Sequence, residues 1–331
     1  MTIAEAVSLL QADYKATEGA PFKHFFCPIL HLDEDVELCK GHIVSKTFQG
    51  SSNTWIVQRK DVDNFFGAVF ESEFEKLQYR DVPATEYLRN PKLAKKIKPQ
   101  LMLDGKLVDY HFGKRADRKG VTPVSLPGGN NRVHLNLEMH QDEVVANESK
   151  KWTLRVQQDV RLPAVVSLIR SAHLTLFRML GYNYVLSGGG RFVGQDLLGR
   201  FYLENYSLAR DVVLANAAGY FTEFRHMVRP VLSQSAGLEG TIDDNRLYLC
   251  DSDCNAKSTW AMMVFVKVGT SMHAVLMPVM ENADCAARFM SFLQSDDERI
   301  AARPCHFDDG AWRVSPEGKL FAWPNTDVSF T

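Results

Sequence analysis

The sequence predicts an α+β protein, in which a short strand–strand–helix module near the N-terminus precedes a larger body of helices and antiparallel strands. Three patterns lead to this class. Apolar strand-like runs at 36–44 and 55–57 precede a helical pattern at 62–77. An Asp104-Gly105 turn between apolar runs, and a second pair of runs around 269–271, are typical of antiparallel hairpins.

The composition limits the size and number of domains. With 331 residues, 45% of them hydrophobic, the chain can bury a large core and form two domains or one elaborate one. We expect a module with flanking helices and a hairpin at 1–110, and an α+β accessory or recognition domain at 132–331. Residues 113–131 are rich in Lys, Arg, Gly and Asn and are expected to form an exposed loop.

Charge and cysteine content restrict the class of protein further. The formal net charge is −2, which excludes a globally basic protein and requires any nucleic-acid partner to meet a local basic patch. The start of the chain has no cationic segment, and the apolar runs are shorter than the ~20 residues that span a bilayer. Six scattered cysteines favour reduced thiols. We therefore expect a soluble, cytoplasmic protein without a membrane partner.

The first elements follow from local patterns. Residues 3–16 have helical periodicity, and the Gly-Ala-Pro run at 19–21 ends the helix. Residues 22–32 and 36–44 are expected to be the two arms of a ribbon joined by an acidic turn. Residues 55–57 form a short buried strand. Asp61 is the predicted N-cap of a helix from Val62 to about Leu77, whose apolar positions form one broad face.

The rest of the chain continues the mixed pattern. The predicted strands are 101–103, 106–108, 133–137, 152–156, 260–268 and 272–279. The predicted helices are 162–180, 192–205, 208–231 and 281–293. The tail at 303–331 contains many Pro and aromatic residues and is expected to be irregular.

Three polar residues of the module could support the hydrolysis of a phosphodiester. His42 ends the ribbon, Asn53 lies in the following loop, and Asn64 lies at the start of the helix. An imidazole can take a proton from water, and an amide oxygen can bind a hard cation such as Mg²⁺. Asn53 could tie the loop to the ribbon through side-chain to backbone hydrogen bonds.

The run from Gly41 to Phe48, followed by Asn53, the apolar strand at 55–57, and Asn64, resembles the HNH family of ββα-metal endonucleases. The resemblance covers residues 22–80. It implies His42 as general base, Asn53 as the asparagine that fixes the loop, and Asn64 as ligand of Mg²⁺ or Mn²⁺. Asp63 could share or replace the role of Asn64. The implied activity is metal-dependent endonucleolytic cleavage of DNA, in the manner of bacterial and phage defence or mobile-element effectors.

Basic residues would then contact phosphates. Within the module, Lys40, Lys46 and Arg59 are candidates for contact with the phosphate, and Arg59 is grouped with His42 and Asn53 as a catalytic residue. Beyond it, the basic run from Arg89 to Lys98 is a further candidate for DNA binding, and we assign this role to Lys92, Lys95 and Lys96.

Several features depart from the family pattern. Gly41 stands where many members carry a metal-binding Asp, and Ser45 replaces a Pro. Cys27 has no partner in a CxxC motif because position 30 is Leu. The missing cysteine argues against a structural zinc ion. The alternative is therefore a catalytically degenerate HNH-fold protein that binds nucleic acid or a partner protein. Residues 132–331 could also hold a sensor for a protein partner or small-molecule activator.

Other motifs have simpler explanations. The spacing of Asp142, Glu148 and Lys150 fits another nuclease class, but the residues at 145–151 have the pattern of a turn. The glycines at 188–190 could cradle a phosphate, although a flexible connection between helices explains them better. The cysteines at 250, 254, 285 and 305 lack the paired spacing of a zinc site and are expected to be reduced thiols.

Overall fold

The computed structural model describes residues 1–45, 48, 54–77, 100–103, 106–108, 110–112, 121–125, 132–136, 152–155, 162–231, 246–251, 259–269, 271–295, 297–308 and 311–324. It consists of two compact units, one formed by Met1–Gln78 with Val160–Thr326 and the other by Tyr79–Asp159 with Asp327–Thr331. The sequence had predicted two consecutive domains, 1–110 and 132–331, whereas each observed unit consists of two separate segments of the chain. The first unit contains the N-terminal module and most of the predicted accessory domain, and the second unit is largely an insertion in the sequence of the first.

The first unit begins with a helix, two strands and a second helix: α1 Ile3–Glu18, β1 Leu38–His42, β2 Trp55–Arg59 and α2 Lys60–Leu77. Thr2 and Glu5 form a capping box at the start of α1, and Gly19 ends the helix with a φ of +84°. The two strands are antiparallel, with His42 opposite Trp55. The strand–strand–helix order therefore agrees with the predicted α+β class.

The predicted partner of β1 was wrong. Residues 22–32 form turns with a single bridge from Phe26 to Asp33, and β1 pairs with β2 instead. The carboxylate of Asp33 accepts hydrogen bonds from the backbone N–H groups of Lys23 and His24, at 2.6 and 2.8 Å. These bonds close the segment into a compact turn, so its apolar residues are buried without forming a strand.

Helix α2 begins directly after β2, two residues earlier than predicted, and ends at Leu77 as expected. Its buried residues recur every three or four positions and therefore form one face. They are Val62, Phe66, Val69, Phe70, Phe74 and Leu77.

The second unit contains two small antiparallel sheets. The first has the order β4–β3–β8, from β3 Gln100–Leu103, β4 Lys106–Val108 and β8 Trp152–Arg155. The second has the order β5–β7–β6, from β5 Tyr110–Phe112, β6 Val121–Ser125 and β7 Arg132–Asn136. The predicted hairpin at 101–108 is confirmed. The expected loop at 113–131 is wrong for 121–125, which pair with β7 because Val121 to Ser125 have strand-forming residues.

A long helix, α3 Leu162–Leu180, opens the second part of the first unit. Shorter elements follow: α4 Tyr182–Val185, α5 Gly188–Arg191, a π-helix Phe192–Gly199, α6 Arg200–Asn205, α7 Arg210–Tyr220 and a 3₁₀ helix Glu223–Met227. The predicted helix at 208–231 is therefore too long. Its last residues become strand β9, Val228–Val231, because they pair with a neighbouring strand.

A seven-stranded antiparallel sheet follows, with the order β14–β13–β10–β11–β12–β9 and β15 paired with β13. Its remaining strands are β10 Arg246–Asp251, β11 Thr259–Val268, β12 Ser271–Pro278, β13 Asp297–Asp308, β14 Ala311–Val314 and β15 Lys319–Pro324. The predicted hairpin of β11 and β12 is confirmed, and helix α8, Ala283–Leu293, follows it as expected. The expected irregular tail is wrong up to Pro324, because backbone pairing with β13 orders β14 and β15.

Helix α3 is the centre of the first unit. It packs against α2 on one side and against β11 and β12 on another. Every residue from Ala164 to Leu174 is buried, including the polar residues Ser167, Arg170, Ser171 and His173. No described helix is both long and apolar enough to cross a membrane.

Candidate functional site

A cavity of about 220 Å³ lies where the end of β1, one face of α2 and one face of α3 meet. Its polar lining combines an imidazole, two carboxylates, a guanidinium and several hydroxyl groups. The lining residues are His42, Ile43, Ser45, Asp63, Phe66, Gly67, Glu71, Phe74, Ser167, Arg170 and Ser171. All of them belong to the first unit.

His42 reaches the cavity from the last position of β1. It is half-buried, and the next residue, Ile43, is fixed to α3 because its carbonyl oxygen accepts a hydrogen bond of 2.7 Å from the Ser171 hydroxyl. The end of the strand is thus held against a buried helix. The imidazole therefore stands on a rigid frame at the edge of a cavity that contains carboxylates.

Asp63 and Glu71 reach the cavity from α2. With Phe66, Gly67 and Phe74 they lie at i, i+3, i+4, i+8 and i+11, which is one face of a helix. At 1.5 Å per residue, Asp63 and Glu71 are about 12 Å apart along the axis. The two carboxylates therefore occupy different parts of the cavity.

Asn64, which was expected to bind the metal, is exposed and is absent from the lining residues given above. It follows Asp63 by one position, which turns it by roughly 100° around the helix. Of the two residues proposed for the same role, the structure places Asp63 beside the His42 cavity and Asn64 outside it.

Arg59, expected to contact phosphate, is bound to carboxylates away from the cavity. Its Nε and Nη2 donate to the two oxygens of Asp61, at 3.1 and 2.8 Å, and its Nη1 donates to Glu34. The Asp61 hydrogen bonds outweigh burial and, with those of Glu34, raise the pKa of Arg59 above its ordinary value. Asp61 also accepts a hydrogen bond of 3.0 Å from the Tyr202 hydroxyl. All three guanidinium nitrogens of Arg59 are therefore used within the fold.

The other basic candidates divide into two groups. Lys40 is exposed, lies 4.2 Å from the centre of the Trp55 ring, and donates to the carbonyl oxygen of Met1. The remaining predicted residues lie outside the described part of the chain; they are Lys46, Asn53, Lys92, Lys95 and Lys96.

Sequence reasoning missed the contribution of α3. Ser167, Arg170 and Ser171 line the cavity from a helix that is otherwise almost entirely apolar. Their spacing of i, i+3 and i+4 places them on one face. A polar stripe inside an apolar helix was the signal available, because buried polar groups need partners and often mark a site.

Arg170 binds the cavity carboxylate. Its Nη2 donates to Asp63 Oδ1 at 2.5 Å and to Gln58 Oε1 at 2.8 Å. The other Asp63 oxygen lies 3.7 Å from the Cys39 sulfur. Burial and the neighbouring Asp63 carboxylate raise the pKa of the Cys39 thiol to about 11, so the thiol stays protonated at neutral pH.

The residues present do not fit the divalent cation that the family resemblance implies. A guanidinium already neutralises Asp63. Gly41 offers no donor, and a Cβ at this position would lie 1.9 Å from Gln58 Nε2. An N–H group thus fills the space in which a side chain of residue 41 would begin. Within the described ranges there is also no group of three or more His, Cys, Asp and Glu suited to a metal ion.

The remaining candidate motifs serve packing or fall outside the described residues. The glycines at 188–190 form α5 and allow close contact, since a Cβ at Gly189 would lie 1.8 Å from the Pro278 carbonyl oxygen. Cys250, Cys285 and Cys305 are buried cysteines. Cys254 and the motif at 142–150 lie outside the described part of the chain.

No family model, curated protein or solved structure matches the chain, so the strand–strand–helix order and the His42 cavity are the observations that bear on function.

Proposed function

We propose that the protein is an endonuclease that hydrolyses phosphodiester bonds, with DNA as substrate and the His42 cavity as its active site. One observation carries the proposal: the end of β1 and the start of α2 bring an imidazole and a carboxylate to the same cavity, beside a buried guanidinium. This combination suits a reaction that moves a proton and develops negative charge on phosphate oxygens.

His42 is the proposed general base. It would accept a proton from the attacking water, a step that side-chain bases typically accelerate about 10²- to 10⁴-fold. Ser171 holds the backbone of the adjacent residue Ile43, and His42 lines the same cavity as Asp63 and Arg170. No step is assigned to a divalent cation, since the described donors do not fit one.

The test is cleavage of supercoiled plasmid by the wild type and by His42→Ala, in parallel reactions with Mg²⁺, Mn²⁺ or EDTA. We expect His42→Ala to slow cleavage about 10²- to 10⁴-fold. His24→Ala is the matched control, because His24 is exposed and does not line the cavity. Equal cleavage by wild type and His42→Ala would refute the assignment of the base.

A second candidate is a protein that binds nucleic acid or a partner protein without cutting. The Asp63–Arg170 ion pair and the Gln58 amide beside Gly41 favour it, because both occupy space that a metal-dependent enzyme of this kind would use. Fluorescence anisotropy with a labelled DNA duplex separates the two. Binding by the wild type without cleavage in any of the three reactions would support the second candidate.

A further inference from the structure

Arg170 has unused hydrogen-bond donors beside the cavity. The guanidinium carries five N–H groups, and both of its hydrogen bonds to the described residues are donated by Nη2. Among the described residues, its Nε has no hydrogen-bond partner although it is buried. Arg170 is only 9% exposed and yet lines the cavity. Arg170 therefore combines spare hydrogen-bonding capacity with a position in the wall of a space large enough for a ligand.

Gln58 has a second donor without a partner. Its Oε1 accepts the bond from Arg170, while its Nε2 is buried and has no partner in the described part of the chain. Gln58 is 2% exposed. Leaving a buried N–H group without an acceptor typically costs about 1–3 kcal/mol. Gln58 does not line the cavity, so its part is to hold Nη2 of Arg170, whereas Arg170 itself reaches the cavity wall.

We infer that Arg170, held in place by Gln58, forms an oxyanion site that receives the phosphate group of a phosphodiester in place of a divalent cation. The inference deepens the proposed function and rests on the same cavity. Guanidinium N–H groups suit phosphate oxygens, and a guanidinium can bind two of them at once. The fixed positive charge would stabilise negative charge in the role usually given to a metal ion.

The other charges of the cavity favour a phosphodiester over a free phosphate ion. Asp63 is neutralised by Arg170, but Glu71 also lines the cavity and adds a negative charge. A phosphodiester carries one negative charge, whereas a free phosphate carries up to two near neutral pH. Repulsion from Glu71 therefore favours the diester. The same guanidinium would repel a divalent cation from Asp63.

Ligand-induced thermal stabilisation of the full chain tests the site without any cleavage. The probes are the dinucleotide dithymidine monophosphate and inorganic phosphate, added in EDTA at constant ionic strength with chloride as reference. We expect the dinucleotide to raise the melting temperature, and to do so at lower concentration than phosphate. Stabilisation by phosphate alone would overturn the diester assignment, and stabilisation by neither probe would overturn the site.

Variants locate the binding. Arg170→Gln should weaken dinucleotide binding about tenfold to a hundredfold, the effect of losing hydrogen bonds to a charged group. Arg178→Gln is the matched control, since Arg178 lies on the same helix and is exposed. If Arg170→Gln does not fold, as judged by circular dichroism, Gln58→Glu replaces it, because the added carboxylate should block the anion while keeping the side-chain shape. Wild-type affinity in the folded variant would overturn the inference.

Electron paramagnetic resonance of added Mn²⁺ tests the absence of a cation site. We expect Mn²⁺ binding to be the same in the wild type and Asp63→Asn. Wild-type Mn²⁺ binding that Asp63→Asn abolishes would overturn the inference and leave a metal-dependent nuclease intact. Dinucleotide binding without plasmid cleavage would instead refute the nuclease and leave the oxyanion site intact.

Discussion

Two buried arginines flank the start of α2, and they are used differently. Arg59 bonds through all three of its nitrogens to Asp61 and Glu34, whereas Arg170 bonds only through Nη2, to Asp63 and Gln58. Both are at most 9% exposed. A fully paired guanidinium holds the fold together, and a partly paired one beside a cavity retains capacity for a ligand. Ion pairing alone would not have distinguished them.

The Arg170 side should respond most strongly to acid, because His173 lies on α3 three residues after Arg170. The turn at 27–31 contains His31, and Pro28 in this turn accepts a hydrogen bond from the ring of His173. Burial lowers the pKa of His31 to about 3 and that of His173 to about 4. The unfolded chain binds protons on both below about pH 6.5, while the folded chain does not. Stability should therefore be retained above this pH and fall as pH drops from 6.5 towards 4.

The expected loss is about 1.4 kcal/mol per pH unit for each histidine. Urea denaturation at pH 7 and pH 5 measures it. His31→Gln should reduce the difference between the two pH values, and His24→Gln, at an exposed position, should leave it unchanged. An unaltered difference in His31→Gln would contradict the assignment to His31.

Removing Arg59 should have the next largest effect. Arg59→Ala leaves Asp61 and Glu34 without their cation and removes a buried side chain, so we expect a loss of about 3 kcal/mol. Chemical denaturation measures the change. Arg200→Ala is the control, because its pair with Glu204 is exposed and should contribute less than about 1 kcal/mol. Equal losses of unfolding free energy in the two variants would contradict the stabilising role assigned to the buried Arg59 side chain.

A smaller effect should follow from adding a methyl group at the Arg170 side. In Gly41→Ala the new Cβ would lie 1.9 Å from Gln58 Nε2, so the Gln58 side chain must move and lose its bond to Arg170. We expect a destabilisation of about 1–2 kcal/mol and weaker dinucleotide binding. Gly219→Ala should instead stabilise the fold. No atom lies within 4 Å of the new Cβ, and alanine favours a helix more than glycine does. Differential scanning fluorimetry compares the two.

Local patterns were sufficient for much of the fold. The face of α2, the hairpin of β11 and β12, and the short hairpin at 101–108 follow from periodicity and turn residues that lie close together in sequence. The strand partner of β1 was harder, because residues 22–32 are as apolar as a strand. Only the hydrogen bonds accepted by Asp33 show why they form turns.

The candidate site could be predicted only in part. His42 and Asp63 were accessible because they lie on neighbouring elements of one module. Arg170 was not, since it is 107 residues beyond Asp63 and its sequence neighbours are apolar core residues. Helical position also decides between Asp63 and Asn64, and sequence alone left the two open. Residues that come together through tertiary packing carry no local signal of their shared site.

The order of the cavity's parts along the chain has a consequence for protein synthesis. The ribosome completes β1 and α2 before it has translated the inserted second unit, and Arg170 emerges only afterwards. A nascent chain or a truncated product that stops before residue 162 carries His42 and Asp63 but lacks the helix that completes the cavity. Incomplete chains would therefore lack the guanidinium that lines the cavity.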